Sequence, residues 1–299
     1  MNWIREHTPQ PERLNRYRQA LLVTVIGNLA LAAGKGIAAS MSGSVALYAD
    51  AANSISDLLY SLLMVLGMWL ALRPPDITHP QGHSRFEPLV GLTVAGSMAL
   101  AGLEAARAAG LRFMAGGLAV EPGLPSLVLL FSAAAKIGMF LFIRRLARLL
   151  QSPSLRATAL DNLTDVLTSL AAFIGAAGSH FFHPLLDPLA GFAVAAWILR
   201  AAYHTARENL TYLTGGGAPD ALRTRIVAAA ETVPGVLRVH QTRTEYVGPQ
   251  LIVDMHINVN GGKTLFEAHA ISDKVIESLE ALPEIDRAYV HLEPHDWAE

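Results

Sequence analysis

Two short stretches carry oxygen-bearing side chains four residues apart inside apolar sequence: Asn53 with Asp57, and Asp161 with Asp165. Residues at i and i+4 share one face of a helix, one turn apart. Each pair therefore reads as two ligands on one helix face. The stretches also echo one another, Asn53 to Leu62 aligning with Asp161 to Leu170. If the two faces meet, three carboxylates and one amide carbonyl converge on a single point. An all-oxygen shell of that kind suits a hard divalent cation. Asp50, three residues before Asn53, reads as a further acid on a path to that point. Ser54, Ser56, Ser61, Thr164, Thr168 and Ser169 flank the pairs, and small hydroxyl residues let helices in a membrane approach closely.

A second grouping lies between the two stretches. Asp76, His79 and His83 offer one carboxylate and two imidazoles within eight residues. Pro80 and Gly82 argue against a helix there, so this is a loop that either binds metal or caps its own backbone.

The elements that must position these residues follow from composition. Of 299 residues, 52% are hydrophobic and only 16% charged, against about 25% charged in a soluble chain. Apolar stretches run through Leu21–Ala39, Ser44–Leu72, Pro88–Ala106, Leu124–Ile143, Ala157–Ser179 and Pro184–Tyr203. Each has roughly the twenty residues a helix needs to cross a bilayer. An ionisable group there is costly and faces a cavity or a partner. The paired aspartates fit a cavity. The single charges Lys35, Glu104 and Lys136 read equally well as groups facing a cavity or as structural charges, snorkelling or held in buried ion pairs. The loops holding Arg73 and Arg85 and Arg144, Arg145, Arg148 and Arg156, with the arginine-rich N-terminal segment, place both termini in the cytoplasm by the positive-inside rule.

From Asn209 onward no apolar stretch reaches that length, and acidic residues outnumber basic ones thirteen to seven. Residues 1–208 thus read as a six-helix membrane domain and 209–299 as a small α+β domain, hinged at Gly215 to Gly217. The second part has an αββαβ order. A helix over Asp220–Thr232 is capped by Asp220, and a strand over Leu251–Val259 alternates cleanly. A helix covers Leu265–Leu282, and a last strand over Arg287–Glu293 sets His291 and Glu293 on one face.

Some classes fall away. The chain has no Cys, so disulfides, thiolate metal sites and cysteine nucleophiles are excluded. A net charge of −2 argues against nucleic-acid binding. There is no phosphate-binding loop and no HExxH helix, and the polar N-terminal segment does not read as a signal peptide.

The run from Gly43 to Asp57, the Asp161–Asp165 stretch, the loop from Asp76 to Glu87 and the C-terminal part from Pro234 to Glu293 together resemble the cation diffusion facilitator family of divalent-metal/proton antiporters. The resemblance implies a homodimer with six spans per protomer in a lipid bilayer, and a ferredoxin-like cytoplasmic domain that dimerises around metal. It implies that Asn53, Asp57, Asp161 and Asp165 form the transport site and that Asp76, His79 and His83 form an interfacial metal site. His240, His256, His291 and Glu293 match the family's cytoplasmic metal positions, and His269 a fifth that reaches a neighbouring site. Zinc-transporting members usually carry His within the quartet. The Asn/Asp/Asp/Asp set here resembles the manganese type, and Zn²⁺ favours nitrogen- and sulfur-rich sites while Mn²⁺ accepts oxygen.

The reading is a secondary transporter, not an enzyme, that exports Mn²⁺, or second Fe²⁺, from the cytoplasm in exchange for protons. No organic cofactor is implied. Three carboxylates in low dielectric need a cation, so protons are expected to replace the leaving metal. The alternatives are an exporter of Zn²⁺, Fe²⁺, Co²⁺ or Cd²⁺ and a membrane-anchored metal sensor or scaffold.

Overall fold

The computed structural model describes residues 11–42, 45–116 and 124–295; the side chains of a few helical residues, Asp50 among them, lie outside the described set, as do Gly43 and Ser44. The chain divides into two compact units, Met1–Asn209 and Leu210–Glu299.

The first unit is built on α1 (Pro11–Ser42), α2 (Val45–Ala71), α3 (Phe86–Met114), α4 (Leu124–Leu150), α5 (Pro153–Phe181) and α6 (Leu186–Leu213), the last of which runs past the unit's end. Among the described residues, four stretches are long and apolar enough to cross a membrane: Pro11–Met41, Asn53–Ala71, Phe86–Met114 and Leu127–Leu150. Their outward faces are greasy. α2 alone exposes Leu59, Leu62, Leu66 and Trp69, a stripe at helical spacing that suits hydrocarbon rather than water.

Inside, Tyr17 and Leu31 of α1, Met64 and Met68 of α2, Met139 and Ile143 of α4, and Leu155 and Ala159 of α5 share one core. α3 and α6 pack on α5 through a second, in which Val94 and Met98 meet Ala157 and Ile198. Close approach depends on missing side chains: a Cβ at Gly27 would lie 2.6 Å from the Met139 sulfur, and one at Gly67 would strike Val90. The joint between α4 and α5 is two residues long. Gln151 takes a left-handed φ of 51°, Ser152 caps α5 by accepting from the Leu155 amide, and Pro153 occupies the first turn, where no amide donor is needed.

In this unit α2 and α5 run antiparallel. Ser154 donates to the Met68 sulfur at 3.1 Å and Thr158 to the Met64 sulfur at 2.9 Å. Moving on along α5 thus means moving back along α2, and the same progression brings Asp165 towards Asp57.

The second unit contains α7 (Asp220–Glu231), β1 (Arg238–Val247), β2 (Gln250–Val259), α8 (Leu265–Glu280) and β3 (Ile285–Pro294). The sheet order is β1-β2-β3. β1 pairs β2 antiparallel, and β2 pairs β3 parallel across the α8 crossover. Gly248 (φ 70°) and Pro249 form the two-residue hairpin turn between Val247 and Gln250. The β2 alternation is complete: Leu251, Val253, Met255, Ile257 and Val259 are buried against Ile226 and Ala230 of α7 and Ile271, Val275 and Leu279 of α8. The opposite face carries Asp254, His256 and Asn258. α8 starts with a reciprocal capping box between Thr264 and Glu267. These hydrogen bonds, the Thr264 amide first, hold the Glu267 carboxyl below its usual range. The expectation that Asp220 caps α7 is corrected: Pro219 holds the N-cap position with no side-chain bond, and Asp220 sits in the first turn.

Candidate metal centres

The first centre lies among α2, α4 and α5. The two helices of matched acids are joined by a residue from a third. Lys136 of α4 is buried; its Nζ donates to Asp57 Oδ2 at 3.0 Å and lies 2.7 Å from Asp165 Oδ2. Asp161, one turn before Asp165, is within electrostatic reach of Asp57, Asp165 and Lys136, and the buried Lys35 of α1 reaches Asp57 in the same way. Polar bonds hold α2 in place: Asn28 of α1 donates to Ser61 Oγ at 2.7 Å, and Ser61 to the Asp57 carbonyl at 2.7 Å.

Three of the four expected ligands are therefore gathered, and two differences from the expectation stand out. Asn53 is exposed. It lies one turn, about 6 Å along the axis, from Asp57. The carboxylates are also not left to find a mobile cation, because Lys136 supplies a tethered one. Of the single charges, Lys136 is a buried ion pair, whereas Glu104 pairs with Arg107 one turn on at 2.7 Å with both side chains mostly exposed. Asp50 lies on α2, but its side chain is outside the described set.

The second centre is the loop after α2. Asp76, His79 and His83 each offer a ligand atom within 4.8 Å of the others. No helix forms here, and Gly82 takes φ 97°. Asp76 Oδ1 accepts from the Thr78 hydroxyl (2.6 Å), the His79 amide (2.7 Å) and the Thr78 amide (2.9 Å). These bonds, the Thr78 hydroxyl first, hold the carboxyl down at about 2. Asp76 Oδ2 stands 3.4 Å from His83 Nε2. His83 Nδ1 lies 3.1 Å from the Pro74 carbonyl. Donating there puts the proton on Nδ1 and leaves the Nε2 lone pair for a ligand, the usual second-shell arrangement of a metal-binding imidazole.

Beside that loop a fully internal network escaped the sequence reading. Glu87, in the first turn of α3, is buried and accepts from Ser152 Oγ, from Ser154 Oγ at 3.1 Å and from Tyr17 OH at 3.4 Å. It ties α1, α3 and the cap of α5 together.

The third centre is on the open face of the sheet. His240 Nε2 lies 3.1 Å from Glu293 Oε2, and His256 Nδ1 2.9 Å from Glu293 Oε1; the three ligand atoms lie within 4.8 Å of one another. His291 pairs with His256 across the parallel ladder. Its Nε2 is 3.8 Å from Glu293 Oε1 and its ring is largely exposed, so it forms the rim. The neighbouring imidazoles, His256 first by its hydrogen bond, hold Glu293 below the usual carboxylate range. His240 reaches this face through an irregularity. The ladder steps from Val239 opposite Ile257 to Gln241 opposite His256, leaving His240 as the extra residue of a β-bulge. His269 lies apart from the cluster, exposed on α8 and 3.7 Å from Asp273, because α8 covers the other face of the sheet.

Comparison with known proteins decides the lineage. The family model for the cation efflux transmembrane domain matches residues 21–214, and that for the cation efflux protein cytoplasmic domain matches 218–295. The chain belongs to the cation diffusion facilitator family. Among its relatives, the uncharacterized transporter MJ0449 of Methanocaldococcus jannaschii is 30% identical, over 94% of this chain and 99% of its own. The manganese efflux system protein MneS of Bacillus subtilis is 27% identical, over 95% and 97%. The cation-efflux pump FieF of Yersinia enterocolitica is 30% identical, over 91% and 90%. Cation diffusion facilitators are membrane transporters of metal cations, not enzymes, and their cytoplasmic domain is a dimerisation module.

Proposed function

We propose that this cation diffusion facilitator is a secondary antiporter that exports Mn²⁺, and second Fe²⁺, from the cytoplasm in exchange for protons. The observation that carries the reading is the gathering of Asp57, Asp161 and Asp165 from two antiparallel apolar helices, with no imidazole or thiol among them. Such a donor set favours a hard ion over Zn²⁺. The likeness to a relative named for manganese efflux supports the same choice. Asn53 completes the quartet by a rotation or shift of α2 that turns its exposed amide inward, and Asp50 lines the approach. Carboxylates released by the departing metal take up protons, which couples the two fluxes.

Residues 1–208 form the transport domain, with six spans and both termini cytoplasmic, and 209–299 the cytoplasmic domain of a homodimer. The Asp76/His79/His83 loop and the His240/His256/His291/Glu293 face bind metal as accessory sites that respond to its level, with His269 serving a neighbouring one. Their imidazoles suit Zn²⁺ as well as Mn²⁺, so these accessory sites are less selective than the transport site.

The experiment is competitive Mn²⁺ and Zn²⁺ flux into proteoliposomes under a fixed proton gradient. Mn²⁺ flux that depends on the gradient and is lost in Asp57→Ala is the expected result. Strong Zn²⁺ preference, or flux insensitive to the gradient, would count against the reading.

A further inference from the structure

Lys136 is a buried residue of the first centre that neither the ligand pattern nor the transport reading uses. Its ammonium lies 3.0 Å and 2.7 Å from one oxygen each of Asp57 and Asp165. A divalent ion held by the same two oxygens would sit about 2.0–2.6 Å from each, in the space the ammonium fills. The two cations cannot share it, both by volume and because like charges repel strongly where water is scarce.

Resting on the transport-site reading above, we propose that Lys136 is a tethered competitor for the transport site: metal binds by displacing its ammonium from Asp57 and Asp165, and the ammonium returns when metal leaves. Two functional consequences follow from elementary chemistry. Metal affinity is held down, because each binding event must first break two charge-assisted contacts, and release is correspondingly quicker. Cation selectivity by charge is built in as well. A tethered ammonium acts at a high effective concentration. A free monovalent ion such as Na⁺ brings no more charge than the group it would replace and loses to it, whereas a divalent ion brings twice the charge. Lys136 is thus a specificity-determining residue that rejects monovalent cations without any size filter. Lys35, buried and near Asp57 from the α1 side, adds to the positive field but makes neither of these two contacts.

The test is Mn²⁺ binding to the full-length protein in nanodiscs at constant pH, by calorimetry, for wild type, Lys136→Gln and Lys136→Met. Both variants are expected to bind Mn²⁺ about tenfold more tightly or better, a change of 1.4 kcal/mol, and to lose affinity when Na⁺ is added, while wild type is indifferent to Na⁺. A merely structural lysine would give weaker binding on removal, so unchanged or weaker Mn²⁺ binding by folded variants overturns the proposal. Removing one partner from a buried ion pair can prevent folding. A wild-type measurement therefore runs beside it: reductive methylation of the Lys136 amine, read by mass spectrometry, should speed up when Mn²⁺ is added. No increase overturns the proposal. Asp57→Ala and Asp165→Ala separate the two readings. If they still bind Mn²⁺ as wild type does, the transport site itself is misplaced; if they lose it while Lys136→Gln gains nothing, only the competitor role fails.

Discussion

The centre among the long helices and the centre on the open sheet face solve the same coordination problem with opposite electrostatics. The helical centre gathers three carboxylates in apolar surroundings and needs resident positive charge, which Lys136 provides at 2.7 and 3.0 Å. The sheet centre combines one carboxylate, Glu293, with imidazoles that are neutral when they ligate, and its rim is open to water through His291. The first can change occupant only by trading cation for cation. The second can fill or empty at little electrostatic cost. That contrast suits a pathway in one case and a responsive surface in the other.

The largest expected effect breaks the comparison at its charged end. Asp57→Ala or Asp165→Ala should reduce transport of every metal by at least about 100-fold, since each removes a charge that balances the ion and leaves Lys136 poorly paired. Flux in proteoliposomes checks it, and wild-type rates in either variant would remove the helical centre from the pathway. Next comes ligand chemistry. Asn53→His or Asp161→His brings an imidazole into the all-oxygen set and should raise the Zn²⁺/Mn²⁺ transport ratio about tenfold. An unmoved ratio would mean that donor type is not what separates the two centres. A smaller effect is expected from the sheet. Replacing His240, His256 and His291 together by Ala should abolish metal binding at that face yet lower transport only about two- to fivefold, because these residues lie outside the membrane domain; complete loss in a folded protein would contradict the division of roles.

The smallest effect concerns the scaffold behind the sheet centre. Thr264→Ala removes the α8 capping box and should cost about 1 kcal/mol of domain stability, while metal binding on the opposite sheet face stays intact. Glu267, held below its usual range by Thr264, contributes fully above its unfolded value near 4.5, and that contribution fades as pH falls through the lower folded value. Denaturation of wild type and variant at pH 7 and pH 3 should therefore differ less at the lower pH.

The helices were legible because an apolar run of membrane length and an alternating strand each report directly on their surroundings. The acid pairs were legible because i, i+4 spacing is local. The Asp76, His79 and His83 grouping lay within one loop and needed no tertiary knowledge. What was hidden is what depends on distant partners. Lys136 finds Asp57 across 79 positions, so nothing in its neighbourhood distinguishes an ion pair from a snorkelling side chain. Glu87 meets Ser152 and Ser154 across 65 and 67. The exposure of Asn53 could not be read from spacing either, since sharing a helix face with Asp57 does not fix which neighbour that face meets.

The bulge at His240 has a consequence for how this domain is put together. Its flanking residues, Val239 and Gln241, are already opposite consecutive positions of β2. Excising the histidine would leave an unbroken ladder, with Val239 still against the core. The ligand is therefore a guest in a strand that is complete without it. A deletion of one codon would erase it from the metal face while sparing the fold, and one inserted codon would suffice to install it.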